Sequence, residues 1–306
     1  MTDLVTGLAI GVDLGGTQLR AALVAPDGRI EARQAVATRA GDGPEAVLDQ
    51  IAEAVATVAR AAPGQRIRGV GVSAPGPLDT GRGVALRLPT LAGFTDFPLA
   101  EALARRLGLP VRLENDGIAA CLAEWRLGAG QGRQNLVYVT LSTGIGGGVI
   151  ADGRVLRGRM GLAGHVGHMT IVKDGALCPC GNRGCWEAYA AGPAFAARAS
   201  ARAGHPLDAA AVFAAADAGD PLAQELVAEE ADLVGVGLAN LLHLYSPEII
   251  VLGGGLASRF EALRPGIAAR LAASAMPAFR DVPLAPAALG GNAGLVGAGL
   301  LVLDPA

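Results

Sequence analysis

His168, Cys178, Cys180 and Cys185 offer one imidazole nitrogen and three sulfurs from a single glycine-rich stretch, Gly161 to Glu187. Four ligands of that softness, with no position left open, suit a structural tetrahedral Zn²⁺. Gly181 and Gly184 can take the turns that bring Cys180 and Cys185 to one point. The alternatives are unconnected buried thiols, or a disulfide that would leave one of the three odd. A second chemistry rests on carboxylates and glycines. Asp116 stands where the strand-like run Val111–Asn115 passes into helix-like sequence, and a carboxylate there is favoured by the helix dipole. It can act as a general base on a bound hydroxyl or serve as a plain N-cap.

Two segments repeat one plan of strand, glycine-rich bend and strand. Asp13, Gly15, Gly16 and Thr17 form the first bend; Thr143, Gly144 and Gly146 belong to the second. Backbone N–H groups at such bends can cradle phosphate oxygens, and Asp13 adds a carboxylate able to reach Mg²⁺ directly or through water. An ordinary glycine hairpin is the alternative reading of the first. Neither bend is a P-loop, because the required lysine is missing. The second is not a dinucleotide fingerprint, since a strand and not a helix follows. A third turn, Gly253-Gly254-Gly255, ends the apolar run from Glu248 and presents bare backbone on which a nucleoside could lie.

The elements that must hold these residues are of mixed type. Strands are expected at Leu8–Val12, Gln18–Val24, Ile30–Val36, Ile67–Val72, Val111–Asn115, Asn135–Leu141 and Glu248–Leu252, with a short one over Pro283–Ala287. Helices are expected at Gly43–Arg60, Pro98–Leu107, Ile118–Trp125, Ala190–Arg202, Ala209–Asp217, Pro221–Leu244, Arg259–Ser274 and Leu295–Leu303. The alanine-rich helical faces are read as close packing that carries little chemistry. The duplicated hairpin predicts two similar α/β domains with a cleft between them. Their expected extents are 1–116 and 117–290, with a terminal helix over 291–306 crossing back to the first. At 306 residues the chain is long enough for two cores.

Formal net charge is −3, with 25 basic and 28 acidic residues. That gives no basic footprint for nucleic acid and no polybasic surface for a membrane. No run is long enough for a membrane span, no secretory leader is evident, and thiols kept for metal suit a reducing compartment. A cytoplasmic protein is expected.

Together these motifs resemble the ROK family of bacterial sugar kinases and related repressors. The resemblance rests on Asp13-x-Gly15-Gly16-Thr17, Pro75-Gly76-Pro77-x-Asp79, Glu114-Asn115-Asp116, the Ser142–Gly148 bend, Gly164-x-x-Gly167-His168, Cys178-x-Cys180-Gly181-x-x-Gly184-Cys185-x-Glu187 and Gly253-Gly254, and it covers essentially the whole chain. It implies a two-domain actin-like (ribonuclease H-like) ATPase fold with an interdomain cleft. It also implies Mg-ATP as phosphoryl donor, a structural Zn²⁺ and assembly as a homodimer or homotetramer. By the same resemblance Asp116 is the base on a hexose hydroxyl, usually O6, and Asn115, His168 and Glu187 hold sugar hydroxyls. His168 would serve metal and sugar through its two nitrogens. Family repressors carry a DNA-binding domain ahead of the kinase-like body; here the first strand begins by Leu8, which favours the enzyme reading.

Two departures touch the sugar side. The family's usual glutamate is His165 here, and Thr90 stands where an amide can contact sugar. A glucokinase-like enzyme is the leading expectation. An N-acetylmannosamine or N-acetylglucosamine kinase and a catalytically weak sugar sensor are the alternatives.

Overall fold

A computed structural model describes residues 7–304, and they divide into two compact units. The first unit begins with β1 (Leu8–Leu14), β2 (Gln18–Val24), β3 (Ile30–Ala37), α1 (Gly43–Ala59) and β4 (Ile67–Ala74). Next come the short strands β5 (Leu78–Asp79), β6 (Val84–Arg87) and β7 (Thr95–Phe97), then α2 (Leu99–Leu107), β8 (Val111–Asn115) and α3 (Asp116–Leu127). The main sheet runs β3-β2-β1-β4-β8, antiparallel through the hairpin strands and parallel from β1 through β4 to β8. β1 and β4 are almost continuously apolar because both of their faces are covered.

The second unit carries β9 (Leu136–Leu141) and β10 (Ile145–Ala151), whose sheet is extended by β11 (Arg154–Val155), and then α4 (Glu187–Ala190), α5 (Gly192–Ala203), α6 (Ala209–Asp217) and α7 (Pro221–Tyr245). It continues with β12 (Ile249–Gly253), α8 (Phe260–Ser274) and β13 (Leu284–Pro286). Its sheet order is β11-β10-β9-β12-β13, antiparallel through the β9–β10 hairpin and parallel from β9 through β12 to β13. Numbered from its own first strand, each five-stranded sheet has the same order, so the repeated hairpin plan extends to the whole topology.

The last helix, α9 (Ala293–Leu303), groups with the first unit and packs on β1, β4 and α3. It is apolar on every side, as a helix enclosed on every side must be. Glycines set its depth. A Cβ at Gly11 of β1 would meet the Leu295 carbonyl oxygen at 2.1 Å, and one at Gly71 of β4 would meet that of Ala298 at 1.8 Å.

Two expectations need correction. The first unit does not end at residue 116 but runs through Gly132, because α3 packs against α9 and not with the second sheet. Arg154–Gly164 also joins the first unit, where the Thr80 N–H donates to the Met160 carbonyl at 3.0 Å. The small antiparallel sheet β5-β6-β7 was not foreseen. Among the described residues no helix is long and apolar enough to cross a membrane.

Candidate active site

The candidate residues fall into two groups, each inside one unit. In the first unit, β1 delivers Asp13 opposite Arg20 of β2. Arg20 Nε donates to Asp13 Oδ2 at 2.9 Å, and Ser73 Oγ donates to Asp13 Oδ1 at 3.0 Å. Both carboxylate oxygens therefore have protein partners. That arrangement suits an ion held through water better than one bound directly. Gly15, Gly16 and Thr17 make the bend. The N–H of Gly15 is consumed in closing the hairpin on the Gln18 carbonyl at 3.0 Å, so it is not a phosphate donor. Thr38 Oγ1 donates to the Gly15 carbonyl at 2.7 Å and ties the bend to β3. Thr90 lies directly over Gly16, where an added Cβ would come within 2.6 Å of the Thr90 Cβ.

The β8–α3 junction supplies Asn115 and Asp116. Asn115, not Asp116, is the N-cap: its Oδ1 accepts the N–H groups of Gly117 at 3.0 Å and Ile118 at 3.4 Å. The N-cap alternative for Asp116 is thereby removed. Asp116 Oδ1 accepts the Gly117 N–H at 2.7 Å. The side chain keeps solvent access, yet surrounding protein dehydrates its carboxyl. Dehydration is the largest influence on its pKa, the Gly117 N–H opposes it, the negative charge of Asp13 adds to it, and the net result is a rise from 3.8 to about 6. A carboxylate half-ionised near pH 6 is a competent proton acceptor at neutral pH.

In the second unit the turn that holds His165 and His168 is a short 3₁₀ segment, Val166–His168, pressed onto β10. Gly167 permits this, since a Cβ there would stand 2.1 Å from the Ile145 carbonyl. The two rings are nearly parallel, with centroids 6.3 Å apart. His168 Nδ1 faces Cys178 Sγ at 3.7 Å, and Cys180 Sγ lies 3.6 Å from Cys185 Sγ. All four ligand atoms fall within 4.8 Å of one another. A tetrahedral zinc with bonds of about 2.0–2.3 Å sets its ligands about 3.5–3.8 Å apart, so the donor set and its geometry both fit that ion. Burial is the largest of the influences that push the Cys178 thiol up to about 12, the neighbouring Cys180 and Cys185 side chains adding to it, so a cation would be needed to hold it as thiolate.

Glu187 opens α4 two residues beyond Cys185. Its Oε2 accepts the Ile145 N–H at 2.8 Å, while Oε1 makes a long 3.9 Å contact with Cys178 Sγ. Gly144 makes room for this carboxylate, because a Cβ there would lie 2.6 Å from Oε2. Trp186 anchors the segment: its indole N–H donates to the Leu233 carbonyl at 2.9 Å, and its ring lies on Gly237 of α7.

The same unit holds a cavity of about 380 Å³ lined by Ser142, Thr143, Gly255, Phe213, Arg259 and the start of α6, among others. Thr143 and Gly255 are therefore together. Gly253 and Gly254 are not among its lining residues. Their missing side chains instead make room for the Tyr138 hydroxyl at 2.2 Å and the Leu141 carbonyl at 2.3 Å. Gly146 lies in β10 beside Thr140. The alanine composition of α6 predicts close packing with little chemistry, but Ala209, Ala210 and Phe213 line this cavity. Only the lone aromatic in an alanine run hinted at it.

The sequence matches the ROK family model over residues 9–305. It is 37% identical to a glucokinase of Streptomyces coelicolor over 98% of each chain. It is 35% identical to an N-acetylmannosamine kinase of Yersinia pseudotuberculosis, covering 96% of this chain and 98% of that one. The structure matches that of a ROK family glucokinase from Streptomyces griseus in complex with glucose and AMPPNP, with TM-score 0.84, 36% identity, and coverage of 97% of this chain and 99% of that one.

Proposed function

This chain belongs to the ROK family, has its actin-like ATPase fold, and we propose that it is an ATP-dependent sugar kinase that phosphorylates the 6-hydroxyl of a hexose, with glucose as the leading substrate. The observation that carries the chemistry is Asp116, a dehydrated carboxylate at the start of α3 with a pKa raised to about 6. In the proposed reaction it accepts the proton of the sugar hydroxyl as that oxygen attacks the γ-phosphorus. The bond to the bridging oxygen breaks, and ADP and the sugar phosphate are the products. Asn115, Thr90, His165, His168 and Glu187 are the proposed sugar contacts. The Gly16–Thr17 and Thr143–Gly144 bends are the proposed phosphate contacts, and the cavity beside Gly255 and Phe213 is the proposed nucleoside site.

Mg²⁺ bound with the nucleotide would offset phosphate charge, with Asp13 as its holder through water. Zn²⁺ would be held by His168 Nδ1, Cys178, Cys180 and Cys185. It would fix the ring and tautomer of His168 and leave Nε2 as the hydrogen-bonding atom. A homodimeric or homotetrameric assembly in the cytoplasm belongs to the same proposal, and analytical ultracentrifugation tests the assembly.

An acylamino-sugar kinase is the second reading. It is favoured by the N-acetylmannosamine kinase relative and by His165 and Thr90, which replace the family's usual sugar contacts. An ADP-release assay over glucose, N-acetylmannosamine and N-acetylglucosamine, with D116N as control, decides between them. Absence of sugar-dependent ADP release with all three would sink the proposal.

A further inference from the structure

Glu114 precedes the two proposed site residues of the β8–α3 junction and has no role in the scheme above. Its side chain is 2% exposed. A carboxylate at the end of a buried strand is costly, and an apolar residue of similar size would usually be at least as stable. Dehydration is the dominant influence on it and raises its pKa. What the carboxylate gains is two directed contacts. Oε1 accepts the N–H of Asn115 at 3.1 Å, and Oε2 accepts from Arg157 Nε at 3.0 Å. Arg157 is itself fixed, since its carbonyl accepts the Ala163 N–H at 3.0 Å. The hydrogen bonds then continue in sequence. Asn115 Oδ1 caps α3 through Gly117 and Ile118, and Gly117 also donates to Asp116 Oδ1. Ser73, the register partner of Glu114 on β4, donates to Asp13 from the neighbouring strand end.

We infer that Arg157 and Glu114 are positioning residues, a strut that fixes the peptide of Asn115 and so the orientation of the Asp116 carboxylate. The inference rests on the kinase reading for its catalytic consequence but not for its structural one. Removing Arg157 leaves a buried carboxylate without its cation, so Glu114 takes up a proton or swings away and the Asn115 N–H loses a charged acceptor. A small displacement of a reacting group is enough to cost a large factor in rate while ground-state binding changes little.

The test compares R157M, R157K and the double variant E114Q/R157M with the wild type by hydrogen exchange and by steady-state kinetics. The expected result for R157M is exchange at least tenfold faster in peptides covering 113–118, unchanged exchange in β1, and kcat down about 10- to 100-fold. KM for sugar and ATP should stay within threefold. R157K should recover part of both effects. The double variant should be less impaired than R157M, because the unpaired buried charge is gone. Unchanged exchange at 113–118 in R157M overturns the inference even if the protein turns over no sugar. Faster exchange with kcat per folded enzyme unchanged overturns it as well, by reducing the pair to a stability element. Failure of the wild type to release ADP with any sugar, with exchange at 113–118 responding as expected, counts against the kinase reading and supports the strut.

Discussion

Replacing Asp116 by Asn removes the proposed proton acceptor and the dehydrated charge together, and the two effects have opposite signs. Positioned general bases contribute about 10²–10⁴ in rate, so kcat should fall by that factor with little change in KM. Stability should move the other way. The folded pKa of about 6 lies above the ordinary 3.8, so the fold binds this proton more tightly than the unfolded chain does. A group of that kind stabilises the fold fully below pH 3.8 and loses its contribution as pH rises through about 6. The shift of roughly two units has a ceiling of about 3 kcal/mol. Because the side chain retains access to water, about 1 kcal/mol is the appropriate expectation. D116N should therefore be more stable than the wild type by about 1 kcal/mol at pH 8, a melting shift of about 2–4 °C, with the gap closing as pH falls toward 4. Differential scanning calorimetry at several pH values, paired with coupled ADP release, reads both. The reasoning is refuted if D116N is less stable than the wild type at pH 8, or if it keeps more than a tenth of wild-type kcat.

Three further outcomes concern the pH profile, the thiol cluster and the Gly144 bend. Wild-type kcat/KM should rise with pH through an acid limb centred near 6, and a pH–rate profile flat from 5 to 8 would remove Asp116 as the base. The purified protein should contain about one zinc per chain by elemental analysis, and C180S should lose it together with thermal stability, because four ligands close the site. G144A would place a Cβ 2.6 Å from Glu187 Oε2, so sugar KM should rise about tenfold or more while the fold persists; unchanged KM would take Glu187 out of the sugar site.

The parts legible in the sequence were those fixed by local chemistry. The two glycine hairpins flanked by apolar strands read directly, and their shared plan foretold two sheets of one topology. The gathering of His168, Cys178, Cys180 and Cys185 at one point read from residue type and spacing, and Gly181 and Gly184 from the turns needed there. What escaped was set by tertiary contact. α3 follows β8 and resembles a domain opening, but it stays in the first unit because Gly297 lets α9 press against the Ala119 carbonyl. The strands of the β5-β6-β7 sheet are two to four residues long, too short to show alternation. The cavity lining on α6 is wholly apolar, Ala209, Ala210 and Phe213, so only the aromatic set its composition apart from packing. Glu114 and Arg157 are far apart in sequence, and nothing in either neighbourhood announces the other.

The most direct test of the central claim is product analysis after incubation with ATP, Mg²⁺ and glucose, using ³¹P–¹H correlated NMR to find the phosphorylated carbon. The account predicts glucose 6-phosphate and an equal amount of ADP, both abolished in D116N. Phosphate on another hydroxyl, ADP formed at the same rate without sugar, or undiminished product from D116N would contradict it.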